Sequence, residues 1–202
     1  MVAPAAEKKN TTDKRQKIMQ AATKVFAEQG FYNSTVADVA RVAEVADGTI
    51  YLYFKNKDDL LISIFEHSMD FFIQAVREEI DLVDDPIEKL RKFVLLHLKL
   101  VQKNQNLSQV IQIELRQSAK FIKEYANEKF FQYLGLIETI LVEGKSKKLF
   151  REDINPGILK RALFGALDEI SLEWVLMKKK RYDVEEAAEQ LCNVFIVGIK
   201  RI

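Results

Sequence analysis

Residues that break regular structure are scarce in this chain, with seven glycines and three prolines among 202 residues. A sandwich or barrel of short strands needs frequent turns, and turns draw on glycine and proline for their special backbone angles. A chain this poor in both is better suited to long helices. The apolar residues agree: Ile18, Met19, Ala22, Val25 and Phe26 recur at helical spacing, and no strand-like alternation of useful length appears. The expected fold class is all-α.

Several function classes fall away on composition. Hydrophobic residues make up 48% of the chain, enough for a core. Lys and Arg number 31 against 30 Asp and Glu, so bulk charge does not announce nucleic acid, and any DNA contact must rest on a local patch. The lone Cys192 excludes an intrachain disulfide framework and a multi-cysteine zinc site; its apolar setting reads as a buried small hydrophobe. His67 and His97 have no partners at ligand spacing, so no metal is expected. No apolar run reaches the roughly 18–20 residues that span a bilayer, and no signal-peptide pattern opens the chain, so a cytoplasmic protein without membrane contact is expected. There is no glycine-rich phosphate loop, nucleophile elbow or metal pair. Asp168, Glu169 and Glu173 lack the histidine partners of a di-iron bundle. The chain reads as a protein without catalysis or cofactor.

The first sixty residues carry the densest organisation. Residues 1–10 form a polar lead expected to be loose. A helix follows from about Thr12 to Gln29, stopped by Gly30 in the left-handed conformation. Phe31 and Tyr32 make a packing corner. Asn33, Ser34 and Thr35 offer capping oxygens for a helix over Val36 to about Ala43, with Asp38 in its first turn. Glu44-Val45 is a tight turn, and a third helix is expected from Asp47 to about Tyr53. Helices this short across a turn this tight form a helix-turn-helix. Asn56 caps a helix to about Leu82, and Pro86 suits the first turn of the next, to Val101. Further helices are expected over 107–119, 121–142, 156–177 and 184–199, with a basic loop over 144–150.

The segments Thr35-Val36-Ala37-Asp38-Val39-Ala40 and Val45-Ala46-Asp47-Gly48-Thr49-Ile50-Tyr51-Leu52-Tyr53-Phe54-Lys55-Asn56-Lys57 resemble the DNA-binding signature of the TetR family of repressors. The resemblance implies about nine helices, binding of double-stranded operator DNA as a dimer, and release on binding a ligand in the C-terminal domain. It divides the chain into the lead, a DNA-binding domain at 11–57 and a ligand-binding and dimerisation domain at 58–202. It also implies that Tyr51 and Tyr53 touch the operator backbone and that Lys57 contacts a phosphate. The residues themselves add detail. Gly48 lets the backbone approach DNA closely. Asp47 and Thr49 stand where side chains reach base edges or phosphates, though Asp47 also reads as a helix cap. Thr35 caps its helix and leaves amides for a phosphate. Lys55 and Arg41 are weaker candidates. Through Lys57 the basic excess is three charges, which implies reliance on two copies.

A narrower resemblance runs through Gln112-Ile113-Glu114-Leu115-Arg116-Gln117-Ser118 and Phe164-Gly165-Ala166-Leu167-Asp168-Glu169. These look like the FadR-type fatty-acid-degradation repressors of Bacillus-like bacteria, which implies long-chain acyl-CoA as the effector. Phe71, Phe93, Phe130 and Phe164 lie on helical stripes. Ordinary core packing accounts for such residues, but a sensor also needs an apolar cavity lined by them. Arg116, Lys120 and Lys123 would meet the phosphates. A drug-efflux regulator answering an aromatic or cationic lipophile is the alternative on the same fold. The last two helices, with Leu163, Leu167, Trp174, Leu191, Val194 and Val197, suit either intrachain packing or a four-helix bundle across the two-fold axis of a homodimer.

Overall fold

Helix follows helix from Ala5 onward in the computed structural model, which describes residues 5–114, 128–177 and 179–201, with the backbone alone for 5–12. Helix α1 spans Ala5–Gln29, α2 Val36–Ala43, α3 Asp47–Tyr51 and α4 Lys57–Ile80. Helix α5 is Pro86–Lys103 and α6 is Gln105–Gln109, followed by a single π-helical turn at Val110–Glu114. Helix α7 is Glu128–Ser146, α8 Pro156–Leu176 and α9 Val184–Ile199. Among the described residues the β-type pairing consists of one isolated antiparallel bridge, Phe150 to Lys200. The fold is all-α, as the scarcity of breakers requires.

Helix starts follow the capping chemistry. The Asp85 carboxylate accepts the Ile87 N–H at 3.0 Å, with Pro86 in the first turn. Asn155 accepts from Gly157 and Ile158 at 2.9 and 3.2 Å ahead of Pro156. Asp183 accepts the Glu186 N–H at 2.7 Å. Each satisfies amides that the first helical turn cannot pair.

Two expected boundaries move. Helix α1 starts before residue 12, because Ala, Glu and Lys are good helix formers and no breaker intervenes. Helix α7 runs through Gly144 to Ser146, into the expected basic loop. The reason is tertiary: the Phe150 ring lies on Gly144, so that a Cβ there would sit 2.1 Å from two ring carbons. The chain turns at Lys148, with φ of 57°, and the Leu149 and Phe150 amides both donate to the Gly144 carbonyl. The single helix expected over 107–119 is broken into α6 and the π turn. Residues 115–127, and with them parts of two expected helices, lie outside the described residues.

The chain forms two compact units. One, the head, comprises Met1–His67 and a segment that begins at Gln109; the other, the sensor unit, comprises Ser68–Ser108 and the chain from Ala126 to Ile202. The division falls inside α4. The head buries Ile18, Phe26, Val39, Ile50, Phe54 and Leu60. In the sensor unit α5 packs against α7, α8 and α9, and α7 against α8. Cys192 is buried there, and burial pushes its thiol up to about 11, which makes it a poor nucleophile.

Candidate functional site

In the head, the turn between α2 and α3 is made by Glu44, which adopts left-handed angles of 54° and 46°. Its amide reaches back to the Ala40 and Arg41 carbonyls and closes α2. Upstream, Thr35 and Asp38 form a reciprocal capping box: the Asp38 N–H donates to Thr35 Oγ1 at 3.1 Å, and the Thr35 N–H donates to Asp38 Oδ2 at 3.0 Å. Arg41 donates to the other Asp38 oxygen at 3.0 Å. The Thr35 hydroxyl, then its amide and Arg41, hold the Asp38 carboxyl below its ordinary value. A carboxylate thus already occupies the start of α2, where the sequence suggested amides open to a phosphate.

Helix α3 begins at Asp47 with no side-chain cap from Ala46. Its outer face is unusual for its composition. Tyr51 is 58% exposed and Leu52 80% exposed, while Ile50 and Phe54 are buried in the head. Asp47 and Gly48 are exposed, and nothing lies within 4 Å of a Cβ placed on Gly48. Thr49 and Tyr53 are half-buried. The structure therefore exposes Asp47, Gly48 and Tyr51 on one short helix and Leu52 at its C-terminal cap. Leu52 was missed in the sequence; the signal was its place between two tyrosines, flanked by residues that do turn inward.

Lys57 is engaged within the chain. Its ammonium donates to the Phe31 and Ser34 carbonyls at 2.7 and 2.8 Å, lies 3.5 Å from that of Tyr32, and stands 4.5 Å over the Phe31 ring. The lysine that the resemblance assigns to a phosphate is directed at the α1–α2 corner.

The sensor unit has a polar chain in its apolar core. The Tyr133 hydroxyl lies 2.8 Å from His97 Nδ1, and His97 Nε2 lies 3.2 Å from Ser171 Oγ. The Ser171 hydroxyl donates to the Leu167 carbonyl at 2.7 Å, which uses its one proton. Oγ must then accept from His97 Nε2–H, and Nδ1 must accept from Tyr133. One neutral tautomer satisfies every partner. Burial pulls the His97 value down to about 4, with Asp168 opposing, and pushes the Tyr133 hydroxyl above its ordinary value. Aromatic rings enclose this chain: Phe93 is 5.2 Å from Tyr133, Phe164 is 6.0 Å from His97, and Phe130 is 4.9 Å from Phe164, between ring centres.

The outer faces of α8 and α9 are apolar and open. Ile158, Leu176, Val194 and Val197 are 60–78% exposed, and a Cβ on Gly165 or Gly198 would meet nothing within 4 Å. Among the described residues no helix is long and apolar enough to cross a membrane.

Residues 18–64 match the family of bacterial regulatory proteins designated tetR, and residues 65–198 match the C-terminal region of YsiA-like proteins. The chain belongs to the TetR family. It is 37% identical over 191 residues to the fatty acid metabolism regulator protein of Bacillus subtilis, a match covering 95% of this chain and 98% of that one. Among solved structures it is similar to the fatty acid degradation regulator FadR of Bacillus halodurans, at 37% identity and a TM-score of 0.84 over 92% of this chain and 99% of that one. It is equally similar to FadR of Bacillus subtilis in complex with stearoyl-CoA, at 37% identity and a TM-score of 0.85 over 91% and 98%. The family and subgroup resemblances carried by the head signature and the Gln112 and Phe164 segments are thereby established: this TetR-family chain is a DNA-binding transcriptional regulator related to FadR.

The residues expected to line an effector cavity divide three ways. Phe93, Phe130 and Phe164 lie together around the His97 chain. Phe71 does not join them; it is 53% exposed on α4, and its neighbour Phe72 is the buried ring. Helical phase separates the two, since adjacent residues point about 100° apart. Arg116, Lys120 and Lys123 lie outside the described residues.

Proposed function

We propose that this TetR-family regulator represses genes of fatty-acid metabolism and leaves its operator when a long-chain acyl-CoA binds. One observation carries the reading: the stearoyl-CoA complex of a relative 37% identical across nearly the whole of both chains. The aromatic enclosure formed by Phe93, Phe130 and Phe164 supports it, because an acyl chain needs apolar walls. Arg116, Lys120 and Lys123 are assigned to the phosphates of the coenzyme on charge.

The operator contacts are assigned to Asp47, Gly48, Thr49, Tyr51 and Tyr53, with Leu52 added for its exposure. Thr35 and Lys57 act one step back. Thr35 sets the start of α2, and Lys57 fixes the corner before it. The apolar faces of α8 and α9 are assigned to a homodimer, which supplies the second head that a small basic excess requires. Replacing Val194 and Val197 by Glu should give monomers in light scattering without loss of helix, since both side chains point away from the core.

The test is fluorescence anisotropy of an operator selected in vitro from random duplexes. Saturating stearoyl-CoA should weaken binding by about tenfold or more, a coupling of roughly 1–3 kcal/mol, and free CoA should not. Undiminished affinity with stearoyl-CoA bound would remove the effector and leave the regulator.

A further inference from the structure

The corner joining α1 to α2 is gripped from two sides, and one grip comes from 83 residues away. Glu114 ends the π turn Val110–Glu114 and is 9% exposed. Its Oε2 accepts the buried Phe31 N–H at 2.9 Å. The carbonyl of Phe31 accepts from Lys57 at 2.7 Å and from the Ser34 hydroxyl at 2.9 Å. Both backbone polar groups of Phe31 are thus held by side chains. The corner needs such fixing, because the helix ladder that serves α1 stops at Gly30, whose φ is 81°. A few residues later Thr35 caps α2, so the direction in which α2 and then α3 leave depends on the corner.

The turn carrying Glu114 has two marks of an element with more than one stable arrangement. It is a π turn, a rare geometry that concentrates at functional positions. It also buries Gln112 Oε1 with no hydrogen-bond partner among the described residues. Just before the turn, Gln109 donates to the Ala27 carbonyl at 2.8 Å and ties the segment to the last turns of α1. The chain enters this segment directly from Ser108 of the sensor unit.

We infer that Glu114 is the positioning residue by which the sensor half of the chain sets the α1–α2 corner. With its carboxylate on the Phe31 amide, the corner holds α2 and α3 ready for the operator. Rewinding of the π turn to α-helical pairing withdraws the carboxylate, orphans the Phe31 N–H and loosens the corner. The inference rests on the reading of the chain as an effector-released repressor, and it names a residue that acts through the corner without touching DNA or effector.

The test compares Glu114→Gln, Glu114→Asp and Glu114→Ala in the full chain. Gln keeps the reach and an acceptor oxygen but loses the charge; Asp keeps the charge but loses the reach. Amide hydrogen exchange at Phe31, effector-free operator affinity and stearoyl-CoA affinity are measured for each. Asp and Ala should speed Phe31 exchange and weaken operator binding by about tenfold, while stearoyl-CoA, which no longer has to displace this contact, binds at least as tightly as to the wild type; Gln should restore most of the exchange protection and operator affinity. Wild-type exchange and operator affinity in Asp and Ala would overturn the assignment, as would Gln failing alongside them. If Ala does not fold, the contrast of Gln with Asp decides the matter alone. Should stearoyl-CoA fail to weaken operator binding by the wild-type protein, the acyl-CoA reading falls, while the exchange and effector-free affinities still judge Glu114.

Discussion

The helix starts of the head and the core of the sensor unit use their polar side chains in opposite ways. In the head the pairs that cap and brace the starts of α2 and α4 are local and exposed: Thr35 with Asp38, Asp38 with Arg41, Lys55 and Asn56 with Asp59. In the sensor unit the chain from Tyr133 through His97 to Ser171 joins residues 36 and 74 positions apart, and it is buried. The apolar surfaces are reversed as well. The head exposes Tyr51 and Leu52 on and just after α3, a helix of five residues, whereas the sensor unit exposes long stripes on α8 and α9. The head is assembled from short motifs stabilised within one turn, joined at a corner that Lys57 and Glu114 hold from farther along the chain. A core that must accept or exclude a ligand is assembled from distant residues, and its tolerance to change should be correspondingly lower.

The sharpest way to break that contrast is to make one substitution in both units. Gly144→Ala drives a methyl group into the Phe150 ring, which is fully buried and has nowhere to retreat. Overpacking of this kind costs about 3 kcal/mol or more, and should lower the melting temperature by roughly 6–12 °C in a domain of this size. Gly48→Ala places the same methyl in open space on α3. It should leave stability unchanged or raise it by up to about 1 kcal/mol through better helix propensity. Any loss of operator binding in Gly48→Ala then reports the groove and not the fold. Calorimetry of the two variants that gave equal shifts would end the comparison.

That contrast also explains what was legible in the sequence. From Gly30 to the start of α3 the head could be read nearly to the residue, because caps, the Gly30 stop and the tight turn at Glu44 are signals spanning two to four positions. The sensor unit gave up its helices but not its joints. Gly144 read as the start of a loop, since the ring that makes glycine necessary there is supplied by a tertiary contact. Phe71 and Phe72 are adjacent on one helix, and only the packed structure decides which ring turns inward. The partners of Lys57 could not be read from its motif: the lysine is where the resemblance puts it, and its ammonium donates to backbone carbonyls, which have no sequence signature. Glu114 was invisible for the same reason, since its partner is an amide far up the chain.

A second, graded test uses acid. The folded value of His97 is depressed to about 4 from an ordinary 6.5, so between those values the unfolded chain binds the proton and the fold does not. Its contribution to stability is whole above about pH 6.5 and is lost as pH falls toward 4. At 1.36 kcal/mol per unit the full loss is roughly 3 kcal/mol. The loss belongs to the sensor unit, whose core holds His97. Denaturant midpoints measured from pH 7 to 4 should show this slope in the wild type and lose it in His97→Gln. An equal slope in that variant would assign the acid sensitivity elsewhere.

Smaller effects are expected in the head. Gly30→Ala forces a side chain into a φ of 81°. Space is not the obstacle, since the nearest atoms to the new Cβ are 3.7 Å away. The left-handed conformation alone should cost about 1–2 kcal/mol. The reading of Gly30 as a conformational stop predicts that Asn, which tolerates these angles, recovers part of that cost in urea denaturation.

The smallest effect is at Thr35, and it probes whether local capping suffices to hold the head. The Thr35 hydroxyl accepts the Asp38 N–H and donates to the Asp38 carboxylate, whose other oxygen is taken by Arg41. Thr35→Ala removes the oxygen and frees an exposed carboxylate, so water replaces most of what is removed. Cap removals of this type cost about 1 kcal/mol. Thr35→Ser keeps the hydroxyl and should restore nearly all of it. The midpoint in urea should fall for Ala with an unchanged slope, because the surface exposed on unfolding is the same. Operator affinity is the more telling measurement. If Thr35 acts only through the start of α2, Ala should weaken the operator more than random duplexes, because α2 leads into α3, the helix assigned to the bases. A hydrogen bond from the hydroxyl to a phosphate would instead weaken both in the same proportion, since phosphates carry no sequence. The salt dependence should stay as it was in either case, because a hydroxyl neutralises no phosphate charge. Proportional weakening in Thr35→Ala would therefore return Thr35 to the DNA surface and show that the head's short-range polar pairs are part of the interface as well as its scaffold.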